Sequence, residues 1–217
     1  MSTTANPAAI SALFTGVVSD ILDGMGLFGQ VGERAFHHVD RTQVIAGRAQ
    51  TARAVPVSQA PDDPYSLLLR AIDQLGPAKV LVISAPQAST SSLFGGLLAN
   101  AVSQAGGAGV IVDGHIRDIP EIRRVGVPTG ARGAGPLDSY GRDEVVEISG
   151  PVFVSGVLVR QNDFVLSDED GFVAVPAHSF EEVLAKCQEK ITREDTMRSA
   201  LVGGMSVADA FAKFGVL

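Results

Sequence analysis

The chain has 217 residues, 46% of them apolar, enough to bury one substantial core. A formal charge of −7 and a pI near 5.0 exclude sequence-independent nucleic-acid binding, which needs a basic face, and leave room for docking onto a basic protein. The single cysteine, Cys187, excludes an intramolecular disulfide, and no apolar run approaches the ~18 residues of a membrane span. With no basic or apolar signal region at Met1-Ser2-Thr3-Thr4, a soluble, cytoplasmic protein is expected.

From Pro7 to Leu22, apolar residues at Ile10, Leu13, Phe14, Val17, Val18, Ile21 and Leu22 keep helical spacing, and Gly16 divides the segment into two short pieces. Gly24, Gly26 and Gly29 then break regular structure. His37-His38 read as strand, where neighbouring side chains point to opposite faces and make poor joint metal ligands. Val44 to Val57 predicts a strand pair or one long bent strand. Beyond a turn bracketed by Pro61 and Pro64, Tyr65 to Leu75 has the pattern of a short helix, stopped by Gly76-Pro77. Val80-Leu81-Val82-Ile83 is a fully apolar, buried strand.

The stretch from Ser89 to Asp118 carries the most chemistry. Ser89-Thr90-Ser91-Ser92 offers N-caps for a helix whose apolar face is Leu93, Phe94, Leu97, Leu98, Ala101, Val102 and Ala105, with Gly106-Gly107 as its stop. Gly95 and Gly96 then fall in the first turn, where backbone amides lack internal partners and the helix dipole favours anions. Val110-Ile111-Val112 predicts a buried strand and Asp113-Gly114 a turn. Arg117-Asp118 then set a cation and a carboxylate beyond a strand end, where α/β folds place ligands.

Asp118-Ile119-Pro120-Glu121 has the form of a capping box, so Asp118 reads both as a helix cap and as a metal ligand. Val127-Pro128-Thr129 enters a strand, and Gly130 to Gly141 reads as a surface loop. Val152 to Val159 and Asp163 to Leu166 are short strands, Asp168-Glu169-Asp170-Gly171 is an acidic turn, and Phe172 to Pro176 closes the β region. Ser179-Phe180-Glu181-Glu182 is a second capping-box sequence, opening a helix of about two dozen residues, and Ser206-Val207-Ala208-Asp209 caps a last one. Strands strung together without intervening helices in the second half predict an α/β layered sandwich rather than a doubly wound sheet.

These residues resemble the RraA-like family, which includes the metal-dependent 4-hydroxy-4-methyl-2-oxoglutarate aldolases. The resemblance lies in Gly95-Gly96-Leu97-Leu98-Ala99, Gly106, Gly109-Val110-Ile111-Val112-Asp113-Gly114 and Arg117-Asp118. Val18 to Asp23, Gly156 to Val159, Asp168 to Pro176 and Gly204-Met205-Ser206 also fit. It implies a swivelling-type α/β/β/α sandwich formed by residues 1–217 as one domain, with 179–217 as C-terminal helices packed on it or on a neighbouring subunit. It further implies a trimer or hexamer.

By the same resemblance, Arg117 binds the carboxylate and enolate oxygen of a pyruvate unit. Asp118 holds Mg²⁺ or Mn²⁺ largely through water, and the amides of Gly95, Gly96, Leu97 and Leu98 cradle the carboxylate. The implied activity is a metal-dependent lyase that releases pyruvate from a small keto acid, by oxaloacetate decarboxylation or retro-aldol cleavage. The alternative is an RraA-type protein that docks onto an RNA-degrading enzyme without catalysis. Aldolases of the family usually carry an acid where Gly96 stands. His115, whose intrinsic pKa is near neutrality, and Glu194 of a neighbouring subunit are candidates to replace it. Without that acid, decarboxylation is expected to survive better than aldol cleavage.

Overall fold

The computed structural model describes residues 10–33 and 36–216; Pro7 and Met1 to Thr4 lie outside them. The elements run α1 (Thr15–Gly24), β1 (His37–His38), β2 (Ile45–Pro56), α2 (Ser66–Asp73), β3 (Lys79–Ser84), β4 (Ser92–Phe94), α3 (Gly96–Gln104), β5 (Gly109–Ile116) and α4 (Ile119–Val125). The second half holds β6 (Thr129–Ala134), β7 (Asp143–Ile148), β8 (Val152–Val154), β9 (Val157–Val159), β10 (Phe164–Ser167), β11 (Phe172–Val175), α5 (Phe180–Val202) and α6 (Val207–Phe214). No helix among them is long and apolar enough to cross a membrane.

Strands β6, β5, β3 and β2 form a parallel run, bordered by antiparallel β1 on β6 and by β10 and then β11 on β2. Their side chains alternate between the two faces of the sheet, and in β3 and β5 both faces are buried. Leu81, Ile83, Val110 and Val112 face helices α2, α3 and α4, while Val80, Val82 and Ile111 face the β8–β9 hairpin. That hairpin closes through Ser155 (φ 49°) and Gly156 (φ 83°), two consecutive positive φ values that match the twist of the paired strands. Helices α1 and α5 cover β10 and β11 as a further layer, with the Phe164 and Phe180 ring centroids 4.4 Å apart. The architecture is therefore the layered α/β sandwich expected, and β2 is the long bent strand, irregular between Arg53 and Ala54.

Several local expectations are corrected. Leu93 and Phe94 belong to strand β4, not to the helix. Past the last β3–β5 pair, Ser84 with Asp113, the edge of β5 is open, and β4 fills it by pairing Ser92 with His115. Asp113-Gly114 does not turn: both lie inside β5, because Asp113 Oδ2 accepts the Ser155 N–H at 2.9 Å and Oδ1 lies 3.6 Å from Arg132, so the buried charge is compensated. Residues 130–134 are strand β6 rather than loop. A side chain at Gly130 would press on Ile45 and Phe36 at 3.2 Å, so glycine marks close packing there. Strand β7 had no counterpart in the sequence reading.

Neither predicted capping box forms at Asp118 or Ser179, since neither side chain bonds its own helix. Ser206 does cap α6, its Oγ accepting the Asp209 N–H at 3.1 Å.

Candidate active site

Strand β4 sets the site. Because it runs beside the end of β5, the Arg117 N–H donates to the Phe94 carbonyl at 3.0 Å, and the chain leaves β4 directly into α3. Helix α3 therefore begins against Arg117 and Asp118. Its first intrahelical bond runs from Ala99 to Gly95 at 3.0 Å, which leaves the amides of Gly96, Leu97 and Leu98 ahead of the helical ladder. Gly95 takes the N-cap position without a side chain to cap with, and Asp118 supplies one through space: its Oδ2 accepts the Gly96 N–H at 3.2 Å. Asp118 itself has φ 59°, a left-handed conformation that aspartate tolerates better than most residues.

At both glycines an added Cβ would force a neighbouring side chain to shift. A Cβ on Gly95 would lie 2.7 Å from Asp118 Oδ2 and 3.2 Å from Arg117 Cγ. A Cβ on Gly96 would lie 2.7 Å from the carboxyl carbon of Glu121. The position where an acid was missing is thus crowded by the Glu121 carboxyl, which Asn100 Nδ2 holds at 3.1 Å and Arg124 at 3.2 Å.

Arg117 and Asp118 open onto a cavity of about 240 Å³, with Gly95, Leu97 and Leu98 on its wall. Arg117 stands between two carboxylates, with Nε 3.8 Å from Asp118 Oδ2 and Nη1 3.6 Å from Asp138 Oδ1. The three side chains are 37%, 48% and 40% exposed, so these pairs contribute little to folding. One guanidinium between two carboxylates leaves the cleft net negative, which repels an anionic substrate unless a cation joins it. Asp118 Oδ1 makes no hydrogen bond among the described residues. Among the described residues, no group of three or more His, Cys, Asp or Glu converges there as a direct ligand cage. One free carboxylate oxygen beside solvent suits an ion such as Mg²⁺ that keeps most of its waters.

Tyr65 also lines the cavity, and sequence reasoning missed it and Asp138 alike. Tyr65 has φ 66°, a strain of about 1–3 kcal/mol for a bulky residue. The buried Glu144 holds it there, its Oε1 accepting the Tyr65 N–H at 2.9 Å. Burial raises the pKa of the phenol, and the neighbouring Asp138, as charge and as hydrogen-bond acceptor, raises it further against the opposing Arg117. No sequence signal links a residue before α2 to one in the loop after β6.

Of the other candidates, His115 lies in β5 with its ring over Gly133 and its Nδ1 buried without a hydrogen-bond partner among the described residues; it is not among the cavity-lining residues. Glu194, on α5, lies 3.6 Å from Lys190, which also binds Asp20 at 2.8 Å.

Fold and cleft together define a class: an α/β sandwich with a helix N-terminus opening onto a cleft beside an Arg-Asp pair. Residues 17–174 match the family described as RraA-like, Aldolase/RraA, and the chain belongs to that family. It is 26% identical to a putative 4-hydroxy-4-methyl-2-oxoglutarate aldolase of Halalkalibacterium halodurans, over 91% of this chain and 89% of the relative. To a 4-hydroxy-4-methyl-2-oxoglutarate aldolase of Thermus thermophilus it is 33% identical, over 60% of this chain and 78% of the relative. Among solved structures, Streptomyces coelicolor RraAS2, described as an unusual member of the RNase ES inhibitor RraA protein family, aligns with a TM-score of 0.78 at 26% identity. That alignment covers 89% of this chain and 96% of RraAS2.

Proposed function

We propose that the protein is a divalent-metal-dependent carbon–carbon lyase that releases pyruvate from a small 2-keto acid through a stabilised enolate. The observation that carries this reading is the meeting of Arg117, Asp118 and the first turn of α3, where the Leu97 and Leu98 amides lie ahead of the helical ladder, at one cavity. The names of the aldolase relatives support it.

Breaking the bond next to a ketone leaves its electron pair on the pyruvate unit. The Leu97 and Leu98 amides, with the helix dipole, bind the substrate carboxylate, and the Arg117 N–H groups stabilise the oxygen on which charge develops. Mg²⁺ or Mn²⁺, held by Asp118 largely through water, would add Lewis-acid stabilisation of the same charge. The leaving fragment is CO₂ from oxaloacetate or a carbonyl compound from a 4-hydroxy-2-keto acid such as 4-hydroxy-4-methyl-2-oxoglutarate. Assembly as a trimer or hexamer, with Glu194 reaching a neighbouring site, belongs to this proposal.

Pyruvate release from both substrates, measured with Mg²⁺, tests it. Arg117→Ala should lower the rate by about 10²–10³, the usual effect of removing a donor to a developing oxyanion, and chelation should abolish it. The charge of −7 and the likeness to RraAS2 favour a second reading, docking onto a basic partner. Under it, pyruvate release is absent, and binding to an RNA-degrading enzyme survives Arg117→Ala and chelation.

A further inference from the structure

The lyase reading requires the Arg117 guanidinium to meet one oxygen of the substrate. A long side chain with several rotatable bonds, 37% exposed, would otherwise sweep the cleft. Among the described residues its guanidinium makes no hydrogen bond, and two carboxylates hold it instead. Asp118 approaches Nε at 3.8 Å and Asp138 approaches Nη1 at 3.6 Å. An ion pair at one nitrogen leaves the guanidinium free to swing about it, whereas attraction at two nitrogens fixes the direction of its plane. Both separations exceed hydrogen-bond length, so the N–H groups are oriented without being used and stay available to a ligand.

Asp138 is itself firmly mounted. The Ser92 N–H donates to the Leu137 carbonyl at 2.8 Å and the Ser92 hydroxyl to the Gly135 carbonyl at 2.6 Å, while the Asp138 carbonyl accepts from Arg142 Nη1 at 3.1 Å. The next residue, Ser139, is buried, and its carbonyl accepts the Arg142 and Asp143 amides at 2.8 and 2.9 Å. Two residues along β4 from Ser92, the Phe94 carbonyl holds the Arg117 N–H at 3.0 Å. One short strand thus sets the spacing between Arg117 and Asp138, and both line the same cavity. Building on the lyase reading, we infer that Asp138 is a positioning residue for the reaction. Acting through Arg117, it holds the guanidinium so that its N–H groups meet the oxygen on which charge develops; it touches no reacting atom and moves no proton. A carboxylate beside an anion site opposes the charge of the substrate. What it contributes here is the orientation of Arg117.

The test is a double-mutant cycle on pyruvate release with Mg²⁺, using wild type, Asp138→Asn, Arg117→Ala and the double variant. Asp138→Asn keeps the size of the side chain and removes its charge. It should lower kcat by about 10–100-fold, the scale of a misplaced catalytic group. Tm should stay nearly unchanged, because an exposed pair contributes little to folding. In the Arg117→Ala background the same substitution should cost less than about threefold, since residues that act as a unit are not additive. A purely structural role for Asp138 would lower both backgrounds alike. A kcat within about threefold of wild type in Asp138→Asn, or equal losses with and without Arg117, overturns the inference while the lyase reading stands. Absence of turnover by the wild type on every keto acid, oxaloacetate included, overturns both.

Discussion

The Asp118 carboxylate accepts the Gly96 N–H at 3.2 Å and so closes the N-terminus of a helix to which it does not belong. The same contact orders the cleft, because it fixes one oxygen of Asp118 and leaves the other toward solvent. Arg117, one residue earlier, is carried into place with it.

Gly95 is the spacer that permits this contact. Its φ of −156° is extended backbone open to any residue, so the effect of a substitution is steric. Gly95→Ala should push Asp118 off the Gly96 amide, costing about 1–3 kcal/mol in denaturant unfolding as an overpacked site. Pyruvate release should fall with it. Unchanged midpoint and activity would show that the contact does not constrain the site.

Gly96 and Glu121 share one space. Gly96→Asp alone sets a second carboxylate against Glu121 and should destabilise the protein. Combined with Glu121→Ala, the same change should be better tolerated, with a coupling of about 1–2 kcal/mol in a double-mutant cycle. Additive effects would mean that the Glu121 side chain moves aside freely. If the acid missing from residue 96 limits aldol cleavage, the double variant should also gain that activity relative to decarboxylation.

Asp168 does for α1 what Asp118 does for α3. Phe14 holds the N-cap position and makes no side-chain cap, while Asp168 Oδ2 accepts the Thr15 N–H and its Oδ1 the Thr15 hydroxyl, both at 2.7 Å. Asp168→Ala should cost about 1–2 kcal/mol, the range of a lost helix cap, measured by the shift in urea midpoint. The keto-acid rate should be retained, since Asp168 is not among the residues lining the cavity.

Cys187 predicts a pH dependence. Burial in the α1–α5 layer raises its thiol to about 11 from 9.0, with Lys190 opposing. Between those values the unfolded chain has lost the proton and the native protein keeps it. The contribution to stability is therefore complete below pH 9 and lost as pH rises toward 11. Wild-type Tm should fall more steeply over that interval than the Tm of Cys187→Ala; parallel curves would show that the thiol is not titrating differently in the two states.

Much of the fold was legible because its signals are local. Hydrophobic spacing located β3, the core of β5, and most of α3 and α5, and Gly106 stops α3 with φ 73° as a glycine after a helix does. The errors also have local causes. Leu93 and Phe94 fit a helical stripe as well as a strand, and the unpaired edge of β5 decided between them. The glycines of β6 imitate a loop, yet they are small because Ile45, Phe36 and the His115 ring lie against them.

The chain's order of residues was sufficient to place an Arg-Asp pair after a buried strand and two glycines at a helix start. That follows because helix and strand periodicity couple residues only a few positions apart. Which carboxylate meets which amide, and which aspartate shares a cavity with which phenol, came from tertiary packing alone. Asp118 reaches Gly96, Asp168 reaches Thr15, and Asp138 and Tyr65 line one cavity, because chain folding brings distant loops together and electrostatic partners are chosen by distance in space.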